Sequence, residues 1–229
     1  MSRTAIKFLI CSVWLIISFL ILLNWSVISE TFVKYDHSIL HEVNNGRVTA
    51  FDPIFIFLTH TSSYAALGAT GIVFILSFLK RSPVLRRCGW QLLFTFLCAF
   101  IVIKSLKYSI DRTRPFDEYT TVDQMVDIDT PSFPSGHTLE SAAMATTLVL
   151  LFSNKVIWAF AIAWAMAVAY SRILLGVHYP SDVMAGIILG ILLSLLCHWF
   201  FLKKVSAFSH HQNPESKVPD QAGKRDSSR

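Results

Sequence analysis

Charge is scarce in this chain. Of its 229 residues only 15% are Asp, Glu, Lys or Arg, against 53% hydrophobic residues that include 18 Phe. That balance excludes an ordinary soluble domain. The shortage is also concentrated. Residues 8–28, 53–79, 88–103, 156–171 and 183–202 hold no Asp, Glu, Lys or Arg, and 138–153 holds one acid, Glu140. A bilayer core takes about 20 mostly apolar residues as helix. These stretches therefore predict an all-α, polytopic membrane protein of six spans, with a very apolar soluble helical bundle as the competing reading.

Cysteine is nearly as rare, and its placement excludes a disulfide framework. Cys11, Cys88, Cys98 and Cys197 all fall in predicted helices, and no CxxC occurs. They read as small core or lipid-facing residues. No small-x-small cleavage site closes the first apolar run before Glu30, so that run is expected to remain as the first span. No internal repeat is present.

The net charge of +5 invites a nucleic-acid partner, but the position of the cations excludes one. Arg3 and Lys7 precede the first span. Lys80, Arg81, Arg86 and Arg87 fill the loop between the second and third, Lys155 lies between the fourth and fifth, and Lys203 and Lys204 follow the sixth. The positive-inside rule then places both termini in the cytoplasm and the loops after the first, third and fifth spans outside. The loop after the third span holds Lys107, Arg112 and Arg114, against the rule, so those cations need another purpose.

Three regions follow. Residues 1–52 hold the first span and an outer segment of mixed charge suited to the membrane surface. Residues 53–202 form a core of five spans. Residues 203–229 read as a disordered basic cytoplasmic tail, solvated or touching anionic lipid through Lys203 and Lys204. Asp52-Pro53 predicts a helix start, with Asp as cap and Pro at the first position. The polar stretch Thr59 to Tyr64 is then expected near the outer face or against protein.

Three clusters carry chemistry. In the first, Lys107 and Arg114 stand seven residues apart. That is two helical turns, so both can project to one face, and Pro115 is expected to end the helix near Arg114. Arg offers a planar fork for phosphate oxygens and Lys a compact point charge; a snorkelling basic helix end is the plainer reading. In the second, Pro134-Ser135-Gly136-His137, a glycine turn opens a helix. Free backbone N–H groups, the Ser135 hydroxyl and the dipole's positive end would greet an anion, with His137 as proton donor. Taken alone, an ordinary cap beside an exposed His is the plainer reading. The third runs Ser171-Arg172, then His178, then Asp182. An Asp four residues after a His can accept its ring N–H and leave the other nitrogen free to attack. The plainer reading is a capping Asp and an interfacial His. A divalent metal is disfavoured by Arg114 and Arg172, and no third ligand is evident. Up-down alternation brings all three clusters to the outer face.

Two further features stay open. Glu140, an acid inside a predicted span, either partners His137 or a nearby cation, or is a first-turn acid favoured by the helix dipole. The segment Phe116 to Phe133 has five acids and no Lys or Arg, and reads as a lid over a headgroup or as a solvated connector.

Lys107-x6-Arg114-Pro115, Pro134-Ser135-Gly136-His137 and Ser171-Arg172-x5-His178-x3-Asp182 together resemble the type 2 phosphatidic acid phosphatase superfamily, the lipid phosphate phosphatases and their relatives. The resemblance covers about residues 50 to 202, with no departure at a motif position. It implies that His178 is the nucleophile and forms a phosphohistidine, that Asp182 orients it and that His137 protonates the leaving group. Lys107, Arg114, Ser135, Gly136 and Arg172 would bind phosphoryl oxygens. It implies no cofactor and no metal, and a lipid phosphate or pyrophosphate as substrate: undecaprenyl pyrophosphate, phosphatidylglycerol phosphate, phosphatidate or a lipid A phosphate. The active site is expected at the outer ends of the spans, on the periplasmic or extracellular side of a bacterial plasma membrane. A lipid phosphotransferase would use the same pocket, and a vanadate-dependent haloperoxidase a related one.

Overall fold

The computed structural model describes the backbone of residues 25–211 and the side chains of residues 33–202. Seven helices follow in order: α1 (Trp25–Asn45), α2 (Asp52–Leu79), α3 (Pro83–Ile110), the short α4 (Pro115–Glu118), α5 (Gly136–Leu151), α6 (Lys155–Leu174) and α7 (Pro180–His211). Among the described residues there is no strand. The expected first span, 8–28, lies largely outside the described residues, as does the tail from 212 to 229.

Four helical segments are long and apolar enough to cross a bilayer: Thr49–Leu79, Pro83–Glu118, Lys155–Leu174 and Pro180–Leu202. Their large side chains face outward, among them Phe57, Phe78, Phe160 and Leu196, as a lipid-facing surface requires. The fourth predicted span is different. α5 has 16 residues, about 24 Å at 1.5 Å per residue, short of a hydrocarbon core of about 30 Å. Its residues from Thr138 to Ala145 are buried without interruption. It is the central helix, touching α2, α3, α6 and α7; protein encloses its first half, and its second half is partly exposed.

Small residues let the other helices close on α5. A Cβ added at Gly190 of α7 would lie 2.5 Å from the Leu139 carbonyl oxygen and 3.0 Å from the Ala142 Cβ, and one at Gly186 would lie 2.9 Å from the Ser135 carbonyl oxygen. One turn further along α7, Ser194 shares a hydrogen bond of 2.8 Å with Thr147. In a bilayer, where apolar solvent gives helices little reason to associate, such close backbone contact and interhelical hydrogen bonding supply the attraction. A second packing layer joins α2, α3 and α5 through Ala66, Val73, Leu92 and Met144.

Two boundaries differ from the sequence reading. The cap of α2 is Phe51 rather than Asp52, with Asp52 in the first turn and bonded to Arg47 at 3.3 Å. α7 runs on to His211, past the expected limit at 202, because neither Pro nor Gly interrupts it there. The outer segment is helical, as α1, and packs on α6 and α7. Asn44 ends it by binding the Leu174 carbonyl at 2.9 Å and the Asp123 backbone N–H at 2.9 Å. The acidic segment is thus a structured cover rather than a free connector: Asp123 also pairs with Arg47 at 2.9 Å.

The α5–α7 contact leaves no room for a side chain at Gly190. Gly190→Val is expected to cost roughly 1–3 kcal/mol by overpacking. The check is a lowered thermal midpoint and loss of a single size-exclusion peak for the detergent-purified variant.

Candidate active site

The C-terminal end of α3, the N-terminal end of α5, the C-terminal end of α6 and the turn into α7 meet at one end of the bundle. Between them lies a cavity of about 320 Å³ lined by Lys107, Arg114, Gly136, His137, Arg172 and His178. All three sequence clusters therefore reach one site. Thr59, His60 and Ser63 of α2 line it too; they belong to the polar stretch whose placement the sequence left open. Phe100, Lys104 and His60, all exposed, form its rim between α2 and α3.

Lys107 and Arg114 converge by a different route from the one their spacing suggested. α3 stops at Ile110, where Asp111 adopts the left-handed conformation (φ 48°, ψ 45°). Asp tolerates that region better than most residues. Arg114 is extended (φ −85°, ψ 155°) ahead of Pro115, as the proline ring demands. The fold-back of the chain, not helical periodicity, brings the two cations together.

Each cation is held by neutral dipoles. Lys107 Nζ donates to the Pro131 carbonyl. Arg114, buried, donates to the Thr130 carbonyl at 2.6 Å, the Val177 carbonyl at 2.6 Å and the Thr130 hydroxyl at 3.1 Å. Arg172, 1% exposed, donates to the Thr59 hydroxyl at 2.5 Å, and its Nε has no partner among the described residues. Among the described residues none of the three forms an ion pair with a carboxylate.

His178 sits in the turn between α6 and α7. Gly176 (φ +72°) makes that turn, and a Cβ there would lie 2.4 Å from the Asp123 carbonyl. His178 Nδ1 is 3.6 Å from Asp182 Oδ2, longer than the direct hydrogen bond expected from the sequence. Ser132 bridges the two: its hydroxyl donates to Asp182 Oδ2 at 2.6 Å and stands 3.4 Å from Nδ1. With the Ser132 proton committed to Asp182, its oxygen accepts from Nδ1–H. Nε2 is left unprotonated and accepts a long hydrogen bond from Arg114 Nη1 at 3.5 Å. Burial, then Arg172, Arg114 and Lys107, push the imidazole well below its ordinary value, which keeps it neutral.

Asp182 is fully buried and behind the cavity wall. It lies at the third position of α7 and accepts the Tyr179 backbone N–H at 3.1 Å, the reciprocal bond of a capping box. Its other oxygen takes Arg112 Nη1 at 2.6 Å. Arg112 also binds Asp36 of α1 at 2.9 Å and lies 3.9 Å over the Tyr179 ring. Sequence reasoning counted Arg112 only as a charge. Its position two residues before Arg114 was the available signal; Ser132 carried none. Ser135 caps α5, but its hydroxyl bonds Thr138 at 2.8 Å and does not line the cavity. Glu140 bonds Ser63 at 2.8 Å.

Buried positive charge with no ion-paired carboxylate among the described residues can receive a multiply charged anion, and a neutral imidazole beside it can attack what is bound. In a membrane-spanning bundle these are the attributes of an integral-membrane phosphatase, a hydrolase of phosphoric esters or anhydrides. The chain belongs to the PAP2 superfamily, whose profile matches residues 88–206. It is 31% identical over 172 residues to the undecaprenyl-diphosphatase of Sulfolobus acidocaldarius, covering 73% of this chain and 79% of that one. It is 33% identical over 151 residues to the bacitracin transport permease protein BcrC of Bacillus licheniformis, 65% of this chain and 70% of that one. The fold matches the crystal structure of the transmembrane PAP2-type phosphatidylglycerolphosphate phosphatase from Bacillus subtilis. The TM-score is 0.66 at 24% identity, over 87% of this chain and 96% of that one.

Arg112 fixes Asp182 from outside the cavity. Arg112→Ala is expected to slow single-turnover phosphate release on the order of 10²-fold by loosening the His178 support, with Arg112→Lys intermediate. Rates within twofold of wild type in a folded Arg112→Ala protein would contradict this role.

Proposed function

We propose that the chain hydrolyses a lipid phosphate or diphosphate through a phosphohistidine on His178. The observation that carries the reading is the trio Lys107, Arg114 and Arg172, buried together beside the His178 imidazole, with no carboxylate ion-paired to any of the three among the described residues. His178 Nε2 attacks phosphorus in line with the leaving oxygen. The three cations and the N–H groups of the first turn of α5 around Gly136 hold the equatorial oxygens, where charge gathers in the transition state. His137 gives its proton to the departing lipid oxygen. As the N–P bond forms, the imidazole ring becomes cationic, and Asp182, acting through Ser132, offsets that charge. Water then attacks the phosphohistidine, His137 takes its proton, and phosphate leaves. Ser135 contributes only if its hydroxyl exchanges Thr138 for the anion.

The core of residues 53–202 carries all these groups. Lys80, Arg81, Arg86 and Arg87 lie at the opposite end of α2 and α3 from the cavity, which supports a cavity facing the periplasm or exterior of a bacterial plasma membrane and cytoplasmic termini. Similarity to an undecaprenyl-diphosphatase makes a polyprenyl diphosphate the first substrate to test.

The test is phosphate release by detergent-purified protein against a panel of lipid phosphates and diphosphates, with chelator present. Wild type is expected to release phosphate from at least one. His178→Ala is expected to fold, to release none above background and to form no alkali-stable, acid-labile radiolabelled phosphoenzyme. Label moving to an acceptor lipid with no free phosphate would make the chain a phosphotransferase. The pH profile follows from His178. A nucleophile must be unprotonated, so activity is lost only as pH falls through its pKa. Because that pKa lies below the ordinary 6.5, the acidic limb of kcat/KM is expected below pH 6.5, after correction for substrate ionisation. A midpoint above that value would contradict the assignment.

A further inference from the structure

Glu140 is 8% exposed and lines the cavity. Ser63 holds Oε2 at 2.8 Å, while Oε1 is buried and has no partner among the described residues. An acid kept inside a membrane bundle at this cost needs a reason. Three residues separate it from His137 on α5, so both stand on one helix face with Cβ atoms about 5–6 Å apart.

The other charged groups around the cavity are nearly all of one sign. α2 supplies His60, and α3 supplies Lys104 and Lys107. The chain ahead of α4 supplies Arg114, and α6 supplies Arg172, with His178 opposite. Among the described lining residues the only other acid is Asp127, which is exposed and lies on the covering segment. A proton on His137 is unfavourable among these cations, yet a leaving-group acid must carry one when substrate binds.

We infer that Glu140, anchored by Ser63, is the counter-charge that keeps His137 protonated, a positioning residue for the leaving-group proton. The inference rests on His137 being that proton's donor. In the first half-reaction the P–O bond breaks, its electron pair leaves with the lipid oxygen, and the His137 proton follows it. His137 is then neutral and Glu140 remains a carboxylate. In the second, water adds its hydroxyl to phosphorus and its proton to His137, and the P–N electron pair returns to His178. Glu140 undergoes no net change, so its effect depends on how much protonation the leaving group needs.

The experiment compares wild type, Glu140→Gln, Glu140→Asp and His137→Ala as full-length detergent-purified proteins. Two substrates are used: phosphatidate, whose diacylglycerol departs as an alkoxide unless protonated, and p-nitrophenyl phosphate, whose phenolate needs little protonation. Gln can still accept the Ser63 bond, so folding is expected to survive, as thermal unfolding would verify. Glu140→Gln is expected to lower kcat/KM on phosphatidate on the order of 10²-fold and on p-nitrophenyl phosphate less than about threefold. The basic limb of its pH profile is expected to move down by about one unit or more, since the acid loses its proton sooner. Glu140→Asp should recover part of both effects. Equal losses on the two substrates with an unmoved basic limb would leave Glu140 a purely structural residue and overturn the inference. Equal losses in His137→Ala would instead remove His137 as donor, and the inference with it. A readout independent of turnover is the protonation midpoint of His137, followed by NMR of ¹⁵N-histidine-labelled protein. It is expected to fall in Glu140→Gln; an unchanged midpoint would overturn the inference even if both substrates react slowly.

Discussion

Three positive charges are buried at one end of this bundle, and they are solvated without being cancelled. Carbonyl oxygens of Thr130, Pro131 and Val177 and the hydroxyl of Thr59 take the N–H groups of Lys107, Arg114 and Arg172. Dipoles of this kind lower the desolvation penalty of a cation and leave its net charge intact. Four acids are committed elsewhere, Asp36 and Asp182 to Arg112, Asp52 and Asp123 to Arg47, and Glu140, which lines the cavity, is held by Ser63 and not by any of the three cations. Cations and acids have been sorted so that Arg112 and Arg47 neutralise carboxylates while the other three do not. Burial first, and then the positive charge that this sorting leaves uncancelled, depress the basicity of His178.

The scaffold serves the sorting through α5. A short helix enclosed by four others can start deep within the bundle, and its first turn delivers Gly136 and His137 beside cations from α3 and α6. Close approach at Gly186 and Gly190 fixes the height of α5 against α7, and α7 carries Asp182 in its own first turn. The same contact that holds the core together therefore sets the distance between the two histidine-bearing regions.

Much of this was legible in the residues. Long runs without charge located the lipid-crossing helices, and the cations, imidazoles and carboxylate that broke those runs located the site. What escaped had physical causes. Hydropathy cannot tell a helix face turned to protein from one turned to lipid, so the burial of the first half of α5 was not visible in it. A left-handed Asp111 ends α3 without a glycine or proline to announce it. Arg112 looked like its neighbours because sign and spacing do not say which arginine meets an acid. Ser132, Thr59 and Ser63 act through hydroxyls that are common in any loop or helix, and only packing assigns them partners.

The rim of the cavity has two kinds of border. Between α2 and α3 it is edged by Phe100 beside Lys104 and His60, on the flank of helices whose outward faces are apolar; on the other side lies the hydrophilic cover from Phe116 to Phe133. A molecule cleaved at such a boundary is divided between two phases, the greasy alcohol or monophosphate returning to hydrocarbon and the small anion escaping to water. Once parted, the two fragments seldom meet again, so partitioning of the products adds to the free energy of hydrolysis in opposing the reverse step.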